Sequence, residues 1–492
     1  MDEDDYDSSA ASDNEGSQKC LSDDDGIADV IDDTPRSSQI DPGVHHRTVL
    51  EMDSLVGEMN KMIGEVKEVI PVTSGVARIL LHQFQWNKEM LFEKFFDSGN
   101  EDAFLKLYRV LPSKTVALPS SSHGECEICL LEAPLSGLKC NHLACSNCWE
   151  RYLETKITVD SCSQIQCIAS GCTLLTDDET VFNYLKLTNA RQIFKRLTTN
   201  SFVEANRLIK WCPAANCGKA VKVAHSEPRP ILCTCGHRWC FCCSEQWHIP
   251  VNCRLLKLWL KKCNDDSETS NWINANTKEC PKCQATIEKD GGCNHMSCKN
   301  TACRHEFCWM CLGPWEPHGS AWYSCNRFDD SNSKTARDAQ ERSRAALQRY
   351  LHYYNRYMNH QQSLRLEGKL YAAIKTKMDQ LQQHGMSWIE AQFLRQAVDA
   401  LTECRRTLMY TYAFAFYLVR DNQAAIFEDN QKDLEMATEE LSGYLEGELQ
   451  STNLQDLKRQ VQDKYRYVEK RRHALLSHCE EGTDRGTWMY TE

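Results

Sequence analysis

The sequence predicts a multidomain chain: small metal-stabilised modules linked by helices, with an all-α module before them and an all-α domain after them. Three observations predict it. At 492 residues the chain exceeds a single compact core. Between Cys126 and Cys325, three consecutive sets of seven cysteines and one histidine take up 21 of the 28 cysteines. On either side of them, apolar residues recur at helical period.

Residues 1–45 are a low-complexity Asp/Ser tail. They hold fourteen Asp or Glu against Lys19 and Arg36, a net −12, and the whole chain is also −12. Everything after the tail is therefore close to neutral, which argues against a nucleic-acid binder with its basic stripe. The tail itself reads as a disordered, solvating segment. Met1–Asp5 has no basic start and no apolar run, so no export signal is expected. A reducing compartment, the cytoplasm or nucleus, then makes Cys-x-x-Cys pairs metal knuckles instead of disulfides. The most apolar stretch, Leu408–Val419, is too short for a membrane span of about 20 residues.

Met59, Ile63, Val66 and Ile70, then Val76, Ile79 and Leu80, then Leu91, Phe92 and Phe95 predict a three-helix module within 50–112, broken at Pro71 and Gly75. A Ser/Pro linker is expected at 113–124. Helical linkers are expected at 177–210, with Val181, Leu185, Phe194 and Leu197, and at 255–278, with Leu258 and Trp259. From 335 to 492 the pattern is a helical domain. Leu347, Tyr350, Leu351, Tyr354 and Met358 share one helix face. Gly385 stops a helix, and Ser387 with Glu390 has the form of a capping box that starts the next. The aromatic run Met409–Phe416 reads as core. Leu454, Leu457, Val461 and Val468 mark a last long helix.

The first metal set, in 125–176, is Cys126, Cys129, Cys140, His142, Cys145, Cys148, Cys167 and Cys172. Its alternating pairs suit two interleaved zinc ions, each with four ligands. The second, in 211–254, is Cys212, Cys217, Cys233, Cys235, Cys240, Cys243, His248 and Cys253; the third, in 279–326, is Cys280, Cys283, Cys298, Cys303, Cys308, Cys311, His318 and Cys325. Cys162 and Cys242 are spare. In the third set spacing leaves Cys293 as an alternative to Cys298, although the Cys-x4-Cys pair Cys298/Cys303 recurs as Cys212/Cys217 and Cys167/Cys172. Six ions with four protein ligands each have no open position, so their role is structural. Any chemistry then falls to a thiol left outside the sets.

The order of the sets resembles the RBR (RING-between-RING) E3 ubiquitin ligases. The runs Lys278–Cys283, Glu288–Met296 and Phe307–Gly319, with the helical C-terminus, are similar to the Ariadne subfamily. The resemblance implies RING1 at 125–176, an in-between-RING (IBR) module at 211–254 and a catalytic RING2 at 279–326. It further implies a UBA-like module at 50–112 and an Ariadne helical domain at 335–492. RING1, with Ile128 at an apolar contact position, would receive a ubiquitin-charged E2. Thr173 follows the last RING1 ligand, where ligases of direct transfer often carry a cation. Ubiquitin would pass to Cys293 as a thioester and then to a lysine of a protein substrate. His295 stands at the general-base position and Glu306 at a carboxylate that orients it. That division is chemically sensible: thiol exchange needs only an accessible thiolate, whereas aminolysis must deprotonate an amine of pKa about 10.4. The resemblance also implies that the C-terminal helices cover Cys293, with Leu366, Glu367 and Glu439 as the clamp and neddylated cullin-RING ligases as the releasing partner. Leu366 departs from the phenylalanine expected there. The rival reading is a RING adaptor that docks an E2 while Cys293 stays inert.

Overall fold

The computed structural model describes residues 47–111, 122–186, 188–265, 277–289, 291–318, 325–329, 339–383, 385–447 and 454–491. The acidic tail and most of the 113–124 linker lie outside them.

Four helices make the N-terminal module: α1 (Met52–Val69), α2 (Ser74–Gln83), α3 (Lys88–Asp97) and α4 (Glu101–Leu107). The sequence pattern predicted three. The fourth arises because Gly99 turns the chain through a positive φ of 61° and Asn100 then caps a new helix, its Oδ1 accepting from the Ala103 amide at 3.1 Å. Ahead of α1, strand β1 (Arg47–Leu50) joins a sheet in the order β1-β6-β5, with β6 at Ala220–Val223 and β5 at Ile209–Trp211. One apolar cluster therefore runs from Leu55, Ile63 and Leu80 to Phe202, Ile209 and Ala220.

RING1 is a three-stranded antiparallel sheet, β2 (Ser122–Glu125), β3 (Glu132–Gly137) and β4 (Leu143–Cys145), closed by α5 (Ser146–Thr158). Ser122–Gly124, expected in the linker, belong to β2. Helices α6 (Asp178–Tyr184) and α7 (Thr188–Ala205) follow. Buried Arg78 reaches from α2 to make a two-oxygen ion pair with Asp178, its Nη2 2.7 Å from Oδ1. The IBR module adds the hairpin β7 (Pro230–Leu232) and β8 (Arg238–Cys240), then α8 (Cys253–Asp265). RING2 consists of two hairpins: β9 (Thr277–Glu279) with β10 (Thr286–Glu288), and β11 (His295–Ser297) with β12 (Glu306–Cys308).

The C-terminal domain contains α9 (Ala339–Arg365), α10 (Glu367–Gln383), α11 (Trp388–Tyr417), α12 (Asn422–Glu446) and α13 (Leu454–Asp484). The capping box of Ser387 and Glu390 starts α11 as expected. Met409, Tyr410, Tyr412 and Phe414 are buried, as are Val461 and Val468. On α9 the buried face is rotated from the predicted one: Tyr350, Tyr353 and Tyr357 are buried, whereas Leu347 is 55% exposed. Leu351, Tyr354 and Met358 flank the core, part-buried. The helix-face rule located the stripe only to within one position, because aromatic residues filled both sides of it. Trp259 of α8 lies among Tyr350, Tyr357 and Phe416, ring centroids 5.3 to 5.9 Å away. Through that ring the linker helix that follows the IBR module is fastened to the helical domain. Among the described residues no helix is long and apolar enough to cross a membrane.

Candidate catalytic and metal sites

Paired knuckles bring the ligands together four at a time. Cys126, Cys129, Cys145 and Cys148 form one group and Cys140, His142, Cys167 and Cys172 another, the interleaving the sequence predicted. Cys212, Cys217, Cys233 and Cys235, then Cys240, Cys243, His248 and Cys253, then Cys280, Cys283, Cys298 and Cys303 form three more. Within each, the ligand atoms lie within 4.8 Å of one another. Cys308, Cys311, His318 and Cys325 also converge, with Cys311 Sγ 3.4 Å from His318 Nε2 and Cys325 against Cys308 and Cys311.

A zinc ion with Zn–S bonds of about 2.3 Å requires sulfur–sulfur edges of about 3.8 Å in a tetrahedron. The observed edges are 3.9 Å for Cys126/Cys148, 3.7 Å for Cys212/Cys235 and Cys240/Cys253, and 3.8 Å for Cys280/Cys303. These clusters fit zinc. Cys298 takes the third position of its group, so the alternative that spacing left open falls in its favour and Cys293 stands outside.

Cys293 lies in the loop that leads into β11. His295 opens that strand, and its partner strand presents Glu306 two residues from the register position opposite His295. His295 Nε2 is 3.2 Å from Glu306 Oε2, and the His295 amide donates to Cys293 Sγ at 3.4 Å. The three residues predicted to carry chemistry are thus neighbours. The His295 ring also stacks on Trp315, centroids 4.4 Å apart and planes 10° apart, a contact no motif announced.

The C-terminal domain covers this loop. Glu439 of α12 accepts from both the Asn294 amide and Asn294 Nδ2, the latter at 2.8 Å. Glu446 accepts from the Gly292 amide at 3.2 Å, and Ser363 of α9 donates to the Gly292 carbonyl at 3.2 Å. Asn359 and Lys289 both donate to Asn294 Oδ1 at 2.9 Å. Gly292 has no room for a side chain: a Cβ would lie 2.2 Å from Arg405 Nη2. The missing side chain lets the Arg405 guanidinium lie directly against the loop backbone. Burial, then the charges of Glu439 and Glu446, push the Cys293 thiol well above its ordinary range. Burial pulls Lys289 down to about 8, against the opposing charge of Glu439.

Of the three predicted clamp residues, Glu439 meets the loop directly. Leu366 and Glu367 occupy the α9–α10 junction, where the Glu367 carboxylate faces Thr402 and Arg406 of α11. Among the described residues, no hydrogen bond joins either to residues 291–295. Sequence reasoning missed Ser363, Arg405 and Glu446. One signal for Glu446 was present, since positions 439, 442 and 446 share a helix face. Ile128 is 55% exposed on the first RING1 knuckle, beside exposed Leu130 and Leu131.

Tandem four-ligand modules, a thiol outside their ligand sets and a helical domain laid over it are the arrangement that the RING-between-RING resemblance implies. Comparison with known proteins narrows the class. The "E3 ubiquitin-protein ligase ARIH1, UBA-like domain" family matches residues 57–97, "IBR domain, a half RING-finger domain" matches 192–253, "IBR domain" matches 275–321, and "Ariadne domain" matches 348–468. The chain is 61% identical over 491 residues to E3 ubiquitin-protein ligase ari-1.1 of Caenorhabditis elegans, covering 100% of this chain and 99% of that one. It is 53% identical over 493 residues to E3 ubiquitin-protein ligase ariadne-1 of Drosophila melanogaster, 98% of each. Identity to E3 ubiquitin-protein ligase ARIH1 of Homo sapiens is 56% over 454 residues, 90% of this chain and 82% of that one. The chain belongs to the Ariadne family of E3 ubiquitin ligases, and ubiquitin and an E2 are its partners in that capacity.

Proposed function

We propose that this ligase carries ubiquitin on Cys293 between the E2 and the substrate. RING1 receives the charged E2 through Ile128, and six zinc ions, one for each four-ligand group, hold the three modules in shape. In the first transfer the Cys293 thiolate attacks the E2 thioester carbonyl, a new C–S bond forms and the E2 thiolate leaves. In the second, the amine of a substrate lysine attacks that carbonyl. A C–N bond forms, the bond to Cys293 breaks and its sulfur departs as thiolate. The amine proton goes to His295. With Nε2–H donating to the Glu306 carboxylate, Nδ1 is the nitrogen left with a lone pair.

The observation that carries this reading is a thiol outside the four-ligand groups that accepts from the His295 amide, while the His295 ring pairs with the Glu306 carboxylate. With the loop freed by Glu439→Ala, incubation with ubiquitin-charged E2 should give an adduct that dithiothreitol removes, absent when Cys293→Ala is added and converted by Cys293→Ser to a more stable oxyester. Undiminished substrate ubiquitination by Cys293→Ala would reduce the protein to a docking adaptor.

The docked arrangement is an inactive one. Supporting this are the Glu439 and Glu446 contacts to Asn294 and Gly292 and the raised thiol pKa. Release is assigned to a neddylated cullin-RING ligase, an expectation that rests on the family resemblance. The reading places the protein in the cytoplasm and nucleus, with protein substrates and no nucleic-acid or membrane partner.

A further inference from the structure

We propose that Trp315 is a positioning residue for His295, its indole holding the imidazole plane for transfer to lysine. The proposal rests on the reading of His295 as the base. A histidine at a strand start has freedom about its last torsion, and its partner here is weak at fixing it. The Glu306 side chain is 60% exposed and the His295 side chain 34% exposed, so water competes for that hydrogen bond. A parallel ring at 4.4 Å and 10° restricts the plane directly.

The place of Trp315 is set by the same residue that pairs with His295. Its amide donates to the Glu306 carbonyl at 3.2 Å, and Pro314 bridges to Phe307. Glu306 thus aligns one ring with its backbone and the other with its carboxylate. Trp315 also stacks on His318 at 5.0 Å and 10°. The indole packs on the two histidine rings and not in the apolar core of the module. The apolar core of RING2 is Cys280, Ile287, Cys298, Phe307 and Trp309, with Cys283, Met296, Cys303 and Met310 against it, and Trp315 lies outside that cluster.

The test is single-turnover discharge on the full chain, every variant also carrying Glu439→Ala so that the docked loop is free to load. Cys293 is loaded by excess ubiquitin-charged E2 and chased with free lysine, with zinc content measured on every variant. Trp315→Leu should load like the Glu439→Ala chain, keep its zinc, and discharge several-fold to about tenfold more slowly. Trp315→Phe, which keeps a ring, should recover most of the rate. The His295 Hε1 resonance, assigned with His295→Ala, should lose its ring-current shift in Trp315→Leu and keep it in Trp315→Phe. Should Trp315→Leu discharge normally while His295→Ala is slow, the proposal falls and the His295 reading stands. Normal discharge by His295→Ala overturns both. Loss of zinc in both Trp315→Leu and Trp315→Met would make the stack structural and also end the proposal.

Discussion

Lys289 and Cys293 titrate in opposite senses within one buried interface, and that predicts an unusual pH profile for the thiol. Lys289 is 7% exposed and donates to Asn359 at 2.6 Å and Asn294 at 2.9 Å. Its fall from an ordinary 10.5 to about 8 opposes docking by about 3 kcal/mol at neutral pH. Because this pKa is lowered, docking gains as pH rises from about 8 towards 10.5. The Cys293 pKa is raised, so its effect has the other sign: docking loses as pH climbs above the ordinary thiol value of about 8.5. Undocking in that range releases one proton from the thiol and binds one at the lysine, and the equilibrium is nearly flat. Alkylation of Cys293, followed by peptide mass spectrometry, should therefore rise with pH and level off above about 8. In Lys289→Met only the thiol titrates, and the rate should go on rising, up to tenfold per pH unit, to about 9.5. Profiles of the same shape for the two proteins would refute the offset.

Three other perturbations test the interfaces around it. Glu439→Ala leaves the Asn294 amide and the Lys289 charge without their buried acceptor and counter-charge, a loss of about 3 kcal/mol; Cys293 alkylation at pH 7.5 should speed up by roughly 100-fold. Arg78→Ala strands Asp178 at the contact between α2 and α6 and should lower stability by about 3 kcal/mol in denaturant titration, with hydrogen exchange rising in both helices. Trp259→Ala empties the ring cluster of Tyr350, Tyr357 and Phe416, costing about 3 to 5 kcal/mol and lowering the melting midpoint while every zinc ligand stays in place.

What could be read from the sequence was what chemistry fixes over short distances. A knuckle closes within four residues, so Cys126/Cys129 or Cys280/Cys283 declare themselves, and the interleaved pairing follows from their alternation. Cys293, in the loop that leads into β11, stood out as the thiol the knuckles leave over, but the roles of His295 and Glu306 came from the resemblance; the pairing of Glu306 across a hairpin is visible only in the structure. The cover over that loop was a different kind of problem. Ser363, Arg405 and Glu446 are polar residues on helices more than 70 positions away, and helix periodicity says which face they occupy, not which module will meet that face. Even Glu439 was nominated by resemblance, and Glu367, adjacent to Leu366, turned to α11 instead.

The two interfaces on the helical domain differ in character, and the proposed release depends on that difference. The helix after the IBR module, α8, meets the helical domain through Leu255, Leu256 and Trp259, all buried in the main apolar core, and separating them would expose that whole cluster to water. RING2 meets the same domain through hydrogen bonds to Gly292 and Asn294 and through a lysine held below its ordinary pKa. Polar groups of that kind regain partners in water once freed, so their net contribution is small even though removing one partner in place is costly. On the proposed reading of release, an activator would separate the polar contacts at Gly292 and Asn294 more easily than the apolar ones of α8. The separation expected on release runs between RING2 and α12, with α8 staying on α9 and α11, and Trp259→Ala should loosen the second contact without raising Cys293 alkylation as Glu439→Ala does.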